Sequence, residues 1–166
     1  MDESRAWNYC LWLLGRRAYS EEELRERMLR KEATPEVAES VLRRLREYGF
    51  VDDEAFTSQF VHFRARRYGS LRLRGELLRK GVDEELVEAE LSRLSEAEQE
   101  EVALDLLIRN AWRFTRSDDP RKDRARAWAF LARRGFPPPA VAGAVERFED
   151  SLPGRQEDPE DGFSSS

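Results

Sequence analysis

The chain has 166 residues, 40% of them apolar and 38% charged, and a formal net charge of −5. Nine Phe, four Trp and four Tyr supply enough large anchors to argue against wholesale disorder, and the length suits one domain or a string of small repeats. A single cysteine, Cys10, excludes an intramolecular disulfide and fits a reducing cytosol. No apolar run approaches the ~20 residues that span a bilayer, and the first residues lack a signal peptide's basic-then-apolar pattern. The expected location is cytoplasmic.

Trp7, Cys10, Leu11 and Leu14 recur at i, i+3, i+4, i+7 and predict an amphipathic helix that ends at Gly15. Ser20 with Glu23 forms a capping box for a second helix carrying Leu24 and Met28. Thr34-Pro35 opens a third, striped by Ala38, Val41, Leu42 and Leu45 and stopped by Gly49. Asp52 or Asp53 caps a fourth, with Phe56, Phe60 and Phe63 on one face. After a break at Tyr68-Gly69 comes a helix with Leu73, Leu77 and Leu78, closed by Gly81. The alternation Leu71-Arg72-Leu73-Arg74 is too short to prefer as a strand. Asp83 caps a helix with Val87, Leu91 and Leu94 inward. Ser95 and Glu98 form a second capping box before Ala103, Leu106 and Leu107. Asp119-Pro120 opens the helix holding Ala127, Trp128 and Leu131, closed by Gly135. The last helix starts within Pro137-Pro138-Pro139 and carries Val141, Ala144, Val145 and Phe148.

The nine helices fall into three groups related by residue. RMLRKEATPEV from Arg27, ELLRKGVDEEL from Glu76 and FLARRGFPPPA from Phe130 superpose, each with a basic pair before a break, an apolar residue and a cap. Such self-similarity marks a repeat architecture, with repeats over 1–50, 51–94 and 95–150 and an acidic disordered tail over 151–166. Glu32 stands where the other copies have Gly, so that turn either avoids positive φ or tolerates strain.

Catalytic and metal chemistry lack their groups. His62 and Cys10 are each alone of their kind, so no Cys/His zinc set can be assembled, and no phosphate-cradling glycine motif is present. Asp52-Asp53-Glu54 stands at a helix start, where acids cap. Neither an enzyme nor a cofactor is expected.

Charge is arranged in blocks. Residues 60–81 carry seven Arg/Lys against one acid, and 109–134 carry nine against three. Residues 82–105 carry ten acids against one Arg, and 149–166 six against one. The first basic block holds Arg64, Arg66, Arg67, Arg72, Arg74, Arg79 and Lys80 near Tyr68. The second holds Arg113, Arg116, Arg121, Lys122, Arg124 and Arg126 beside Trp112 and Phe114. Basic residues interleaved with aromatics suit a phosphate backbone with stacked bases, or an acidic protein groove. Arg79-Lys80 and Arg133-Arg134 also suit last helical turns, where cations meet the negative dipole end. Trp7, Phe56, Phe60 and Trp128 stand at core spacing. The acidic tail is read as a solubilising extension, with competition for the protein's own basic face as the alternative.

The run from Leu45 to Val82 resembles the signature stretch of the RecX family. It holds Gly49-Phe50-Val51-Asp52-Asp53, then Phe56, the basic stretch Arg64 to Gly69, and Glu76-Leu77-Leu78-Arg79-Lys80-Gly81-Val82. Tyr9, Leu14, Arg16-Arg17, Glu23-Leu24 and Arg133-Arg134-Gly135-Phe136 extend the similarity over about Trp7 to Phe148. The resemblance implies an all-α fold of three tandem three-helix repeats forming an elongated, curved molecule. It implies a monomeric, non-membrane modulator, mainly an inhibitor, of the RecA recombinase. Such a protein lies in the groove of the RecA–single-stranded DNA filament and meets the DNA directly or through the filament. It dampens filament extension, ATP hydrolysis and strand exchange, and so regulates DNA repair and the SOS response. Glu32 and the acidic tail depart from the family pattern. The rival readings are a DNA-binding helical module acting without RecA and a helical adaptor unrelated to DNA.

Overall fold

Helix starts follow local capping chemistry closely. The computed structural model describes residues 1–154, and every regular element among them is helical. In chain order they are α1 (Glu3–Leu14), α2 (Glu21–Arg30), α3 (Pro35–Glu47), α4 (Asp53–Arg64), α5 (Ser70–Arg79), α6 (Glu84–Leu91), α7 (Glu96–Arg109), a 3₁₀ turn (Ala111–Arg113), α8 (Pro120–Arg133) and α9 (Pro138–Asp150). Ser20 closes a two-way capping box with Glu23. At Ser95 the structure shows one half of it, the hydroxyl accepting from the Glu98 N–H. Asp52 caps α4, while Asp53 reaches across to accept the Glu21 N–H at 2.9 Å in the first turn of α2. Asp83 makes no side-chain cap, contrary to its sequence role.

The recurrent turn after the second helix of each group has one backbone geometry. Gly81 and Gly135 take φ of 75° and 84°, and Glu32 takes 66° at the equivalent place. Repeat one therefore tolerates the left-handed strain rather than avoiding it, at a cost of about 1 kcal/mol for a residue with a Cβ.

The helices divide into two compact units, Met1–Arg66 with Arg72–Leu94, and Arg67–Leu71 with the described residues from Ser95 onward. In the first, α1, α2 and α3 pack on one another around Cys10, Leu24, Met28, Val41, Leu42 and Leu45, and α4 packs on α6. Burial pushes the Cys10 thiol up to about 11, so it behaves as a small apolar group. In the second, α7 and α8 flank α9 around Leu107, Phe114, Phe130, Leu131, Phe136, Val141 and Phe148.

The segment Arg67–Leu71 belongs to the second unit for a backbone reason. The Gly69 N–H donates to the Arg134 carbonyl at 2.8 Å and the Leu71 N–H to the Gly135 carbonyl at 3.0 Å. The Ser70 N–H donates to Gln99 Oε1 at 2.9 Å. A Cβ at Gly69 would collide with the backbone of Gly135 and Phe136, so only glycine permits this approach.

Two aromatic assignments need correction. Phe63, aligned with Phe56 and Phe60, is 67% exposed, and Trp128 is 37% exposed. Helical spacing identifies a shared face, not whether that face is covered. Leu78 and Leu94 are likewise only partly buried. Phe114 is only 3% exposed, while nearby Trp112 is 65% exposed. The tail expected over 151–166 begins with Ser151 as the C-cap of α9 and Leu152 against the core, and residues 155–166 lie outside the described residues.

Candidate functional site

The two basic blocks, alike in sequence, are treated differently by the fold. In the first unit most cations are paired. Arg64 and Arg72 converge on Glu76, at 2.6 and 3.1 Å. Burial pushes the Glu76 carboxyl upward, but the hydrogen bonds and charges of Arg64 and Arg72 outweigh it and hold the group below the usual range. Arg74 is ion-paired with Glu88 and with Glu84 at 3.1 Å, both on α6. Lys80 Nζ lies 3.3 Å from Glu23, whose carboxylate also takes Arg17 at 3.0 Å. Burial raises Glu23, and the Arg17 and Ser20 hydrogen bonds with the nearby cations overcome that and lower it. Arg66 and Arg79 are exposed, with no ion pair among the described residues.

Between these paired cations lies an open cleft of about 580 Å³ lined by Phe56, Gln59, Phe60, Phe63, Arg17, Arg64 and Lys80. The Lys80 ammonium stands 5.9 and 5.8 Å from the Phe56 and Phe60 rings.

The second unit carries a groove of about 350 Å³ lined by Arg113, Arg116, Arg126 and Arg133 around Phe114, Phe130, Ala125 and Ala129. No acid among the described residues lines it. Arg113 lies 5.1 Å over the Phe130 ring. Arg126 has Asp123 at 3.4 Å, and Arg113, Arg116 and Arg133 have no ion pair among the described residues. The alanines matter, because small side chains keep the floor low between long guanidinium arms. The guanidinium forks suit phosphate or carboxylate oxygens, which they can bind bidentately.

The other cations of this unit stand apart from that groove. Arg124 is held bidentately by Glu149 at 2.6 and 2.8 Å. Arg121 lies 3.8 Å from Asp119 with its side chain 92% exposed, and Lys122 is exposed. Arg67 sits in the short segment of this unit, where its carbonyl accepts from Arg134 at 3.1 Å.

Of the residues singled out from sequence, Arg113, Arg116 and Arg126 are therefore brought together, and Arg133 completes the set. Sequence alone assigns Arg133 to the last turn of a helix. Its signal is nonetheless present there: Arg126, Ala129, Phe130 and Arg133 follow i, i+3, i+4, i+7 on α8. The cleft of the first unit is displayed in the same way, with Phe56, Gln59, Phe60 and Phe63 at i, i+3, i+4, i+7 on α4, whereas Arg17 and Lys80 reach it from parts of the chain distant in sequence.

Three family models match in succession: the first three-helix domain of RecX over residues 6–55, the second over 52–91 and the third over 98–145. The chain belongs to the RecX family. A regulatory protein RecX of Thermus thermophilus is 42% identical over 135 residues, covering 81% of this chain and 85% of its own. That of Deinococcus radiodurans is 36% identical over 145 residues, covering 87% of this chain and 69% of its own. Among solved structures, RecX from Lactobacillus salivarius superposes with a TM-score of 0.79 at 17% identity, over 89% of this chain and 96% of its own. A second RecX crystal structure gives 0.77 at 21% identity, over 87% and 73%. The all-α fold of three-helix RecX domains rests on these matches. Among the described residues no group of His, Cys, Asp and Glu is placed to hold a metal, and no helix is long and apolar enough to cross a membrane.

Proposed function

We propose that this RecX-type regulator acts by binding, without chemistry of its own, as a cytoplasmic monomer that engages the RecA–single-stranded DNA filament. Binding in the filament groove would dampen extension, ATP hydrolysis and strand exchange, with repeats over 1–50, 51–94 and 95–150 as its modules. The observation that carries the reading is the arginine groove of the second unit, where four guanidiniums gather and no acid among the described residues joins the lining. Unlike the paired cations of the first unit, Arg113, Arg116 and Arg133 need not give up a carboxylate to take a phosphate or a partner's acid.

The test is binding to preassembled filaments by co-sedimentation, with naked single-stranded DNA as comparator. The filament reading expects saturable binding to filaments under salt conditions where naked DNA is released. The rival, a DNA-binding module independent of RecA, expects equal or tighter binding to naked DNA, with log affinity falling by about 0.7 per phosphate contact as log salt rises. That second result would contradict the filament reading.

A further inference from the structure

Outside both basic blocks, one flank of α1 carries Arg5, Tyr9, Trp12 and Arg16 at i, i+4, i+7 and i+11, a single stripe of helical surface. Ala6, Cys10 and Leu13 take the buried face of the same helix. Gly15 caps the helix in a right-handed conformation, φ −70° and ψ −15°, and the Arg16 N–H donates to the Leu13 carbonyl at 2.9 Å. The helical path therefore carries Arg16 onto the stripe.

The rings on this stripe are open and nearly parallel. Tyr9 and Trp12 lie 6.2 Å apart between centroids with 17° between their planes. The Arg16 guanidinium stands 4.6 Å over Trp12, and the Lys31 ammonium 5.7 Å from the Tyr9 ring. Trp12 remains 56% exposed. Arg5, Arg16 and Lys31 are exposed too, and none has an ion pair among the described residues. Asp2 is engaged at the cap of α1, where it accepts the Arg5 backbone N–H at 2.8 Å. The other exposed aromatic group of this unit is built differently. Trp7 meets Tyr48 and Phe50 edge-on, at 67° and 81°, and the cation over it, Arg44, is paired with Glu3 at 3.5 Å.

Parallel open rings suit nucleic-acid bases, because every base has a π-face, and unpaired cations beside them suit phosphates. From Arg5 to Arg16 the stripe runs roughly 16 Å at about 1.5 Å per residue, the length of a few nucleotides at about 3.4 Å per stacked base. An acidic peptide would use the cations but leave the two ring faces without a planar partner. We propose that this flank of α1, together with Lys31, is a binding site for single-stranded DNA. A base stacks on Trp12 beside Tyr9, the Arg16 guanidinium moves from the ring to a phosphate, and Arg5 and Lys31 take neighbouring phosphates. The choice of DNA as the strand rests on the function proposed above; the stacking geometry does not.

The test uses the full chain and a fluorescein-labelled oligothymidylate at low ionic strength, followed by anisotropy, with no RecA present. Trp12→Ala should weaken binding about fivefold or more, the loss of one stacked base, and leave its salt dependence unchanged. Trp12→Phe should restore most of the affinity, because a phenyl ring still stacks. Replacing Arg16 and Lys31 by Ala should lower the slope of log affinity against log salt by about 1.4, or about 0.7 per phosphate contact. Tyr48→Ala, in the edge-on group, should change nothing. An abasic strand of the same length should bind the parent about as weakly as oligothymidylate binds the Trp12→Ala variant. Equal binding of the two strands by the parent, or of oligothymidylate by parent and Trp12→Ala variant, would overturn the proposal. So would a parent that does not bind oligothymidylate at all. Displacement of the strand by an oligoglutamate of equal charge as readily as by oligothymidylate would assign the surface to an acidic peptide and overturn it too. Co-sedimentation with preassembled filaments keeps the two readings apart: saturable filament binding alongside any of these failures removes the stacking site and leaves the filament reading standing.

Discussion

The stretch from Phe60 to Gly81 and the stretch from Arg109 to Arg134 each carry a local charge of +6 by count, yet among the described residues the second gathers Arg113, Arg116 and Arg133 in one groove without an ion pair, beside Arg126 paired with Asp123. In the first unit, Glu76, Glu84, Glu88 and Glu23 reach the arginines and lysine from the same helix, the next helix or the preceding repeat. Two of those acids, Glu84 and Glu88, come from the very segment that the count treats as a separate acidic block. In the second unit, α9 contributes Glu149 to Arg124 but nothing to the face of α8 that carries Arg126 and Arg133. Charge density along a chain is thus a poor proxy for surface charge. Helix pairing decides which cations keep their field.

If the groove stands on a packed core and the cleft of the first unit is open, the two should differ most in stability. Phe114→Ala should lower stability by about 3–5 kcal/mol, because a buried ring in contact with Phe130 and Phe148 is removed. Phe63→Ala in the open cleft should cost far less. Urea denaturation followed by helical circular dichroism checks both, and similar costs at the two positions would contradict the assigned burial.

Filament binding should separate the two units less widely but in the same sense. Replacing Arg116, Arg126 and Arg133 by Ala should weaken filament binding tenfold or more, about 1.4 kcal/mol. Replacing Arg64, Arg72 and Arg74 by Ala should change binding by only about threefold and act mainly on stability, since those side chains are already engaged. Filament co-sedimentation of the two triple variants measures both, and equal losses would erase the distinction between the units.

Glu76→Gln should cost about 1–2 kcal/mol at neutral pH by loosening Arg64 and Arg72. Because the folded-state carboxyl is held below its ordinary value, its contribution is present above the unfolded value of about 4.3 and fades as pH falls through the lower folded value. The difference between parent and variant should therefore shrink below about pH 4 in acid denaturation series. A still smaller change belongs to the first repeat: Glu32→Gly should raise stability by about 0.5–1 kcal/mol, by relieving φ of 66°, as a shift in the urea midpoint would show.

Much of the fold is legible in the sequence because it is written locally. The capping residues Ser20, Thr34, Asp52, Ser95 and Asp119 act within three residues of themselves, and the stripes of α3 and α9 are buried as their spacing requires. The site is only partly legible. Arg126 and Arg133 share a helix face that the sequence displays, but the pairing of Lys80 with Glu23 spans 57 residues and that of Arg74 with Glu88 spans 14. The exposure of Phe63 is hidden for the same reason: what covers a helix face comes from another part of the chain.

DNA-dependent ATP hydrolysis by the cognate RecA, titrated after filament formation, asks directly whether the arginine groove of the second unit, and not the paired block of the first, carries the effect on RecA. The parent protein should suppress hydrolysis well below one copy per RecA protomer. Suppression should be retained with Arg64, Arg72 and Arg74 replaced by Ala and lost with Arg116, Arg126 and Arg133 replaced by Ala. Full suppression by the groove variant, with its fold intact by circular dichroism, would contradict the assignment of function to the groove.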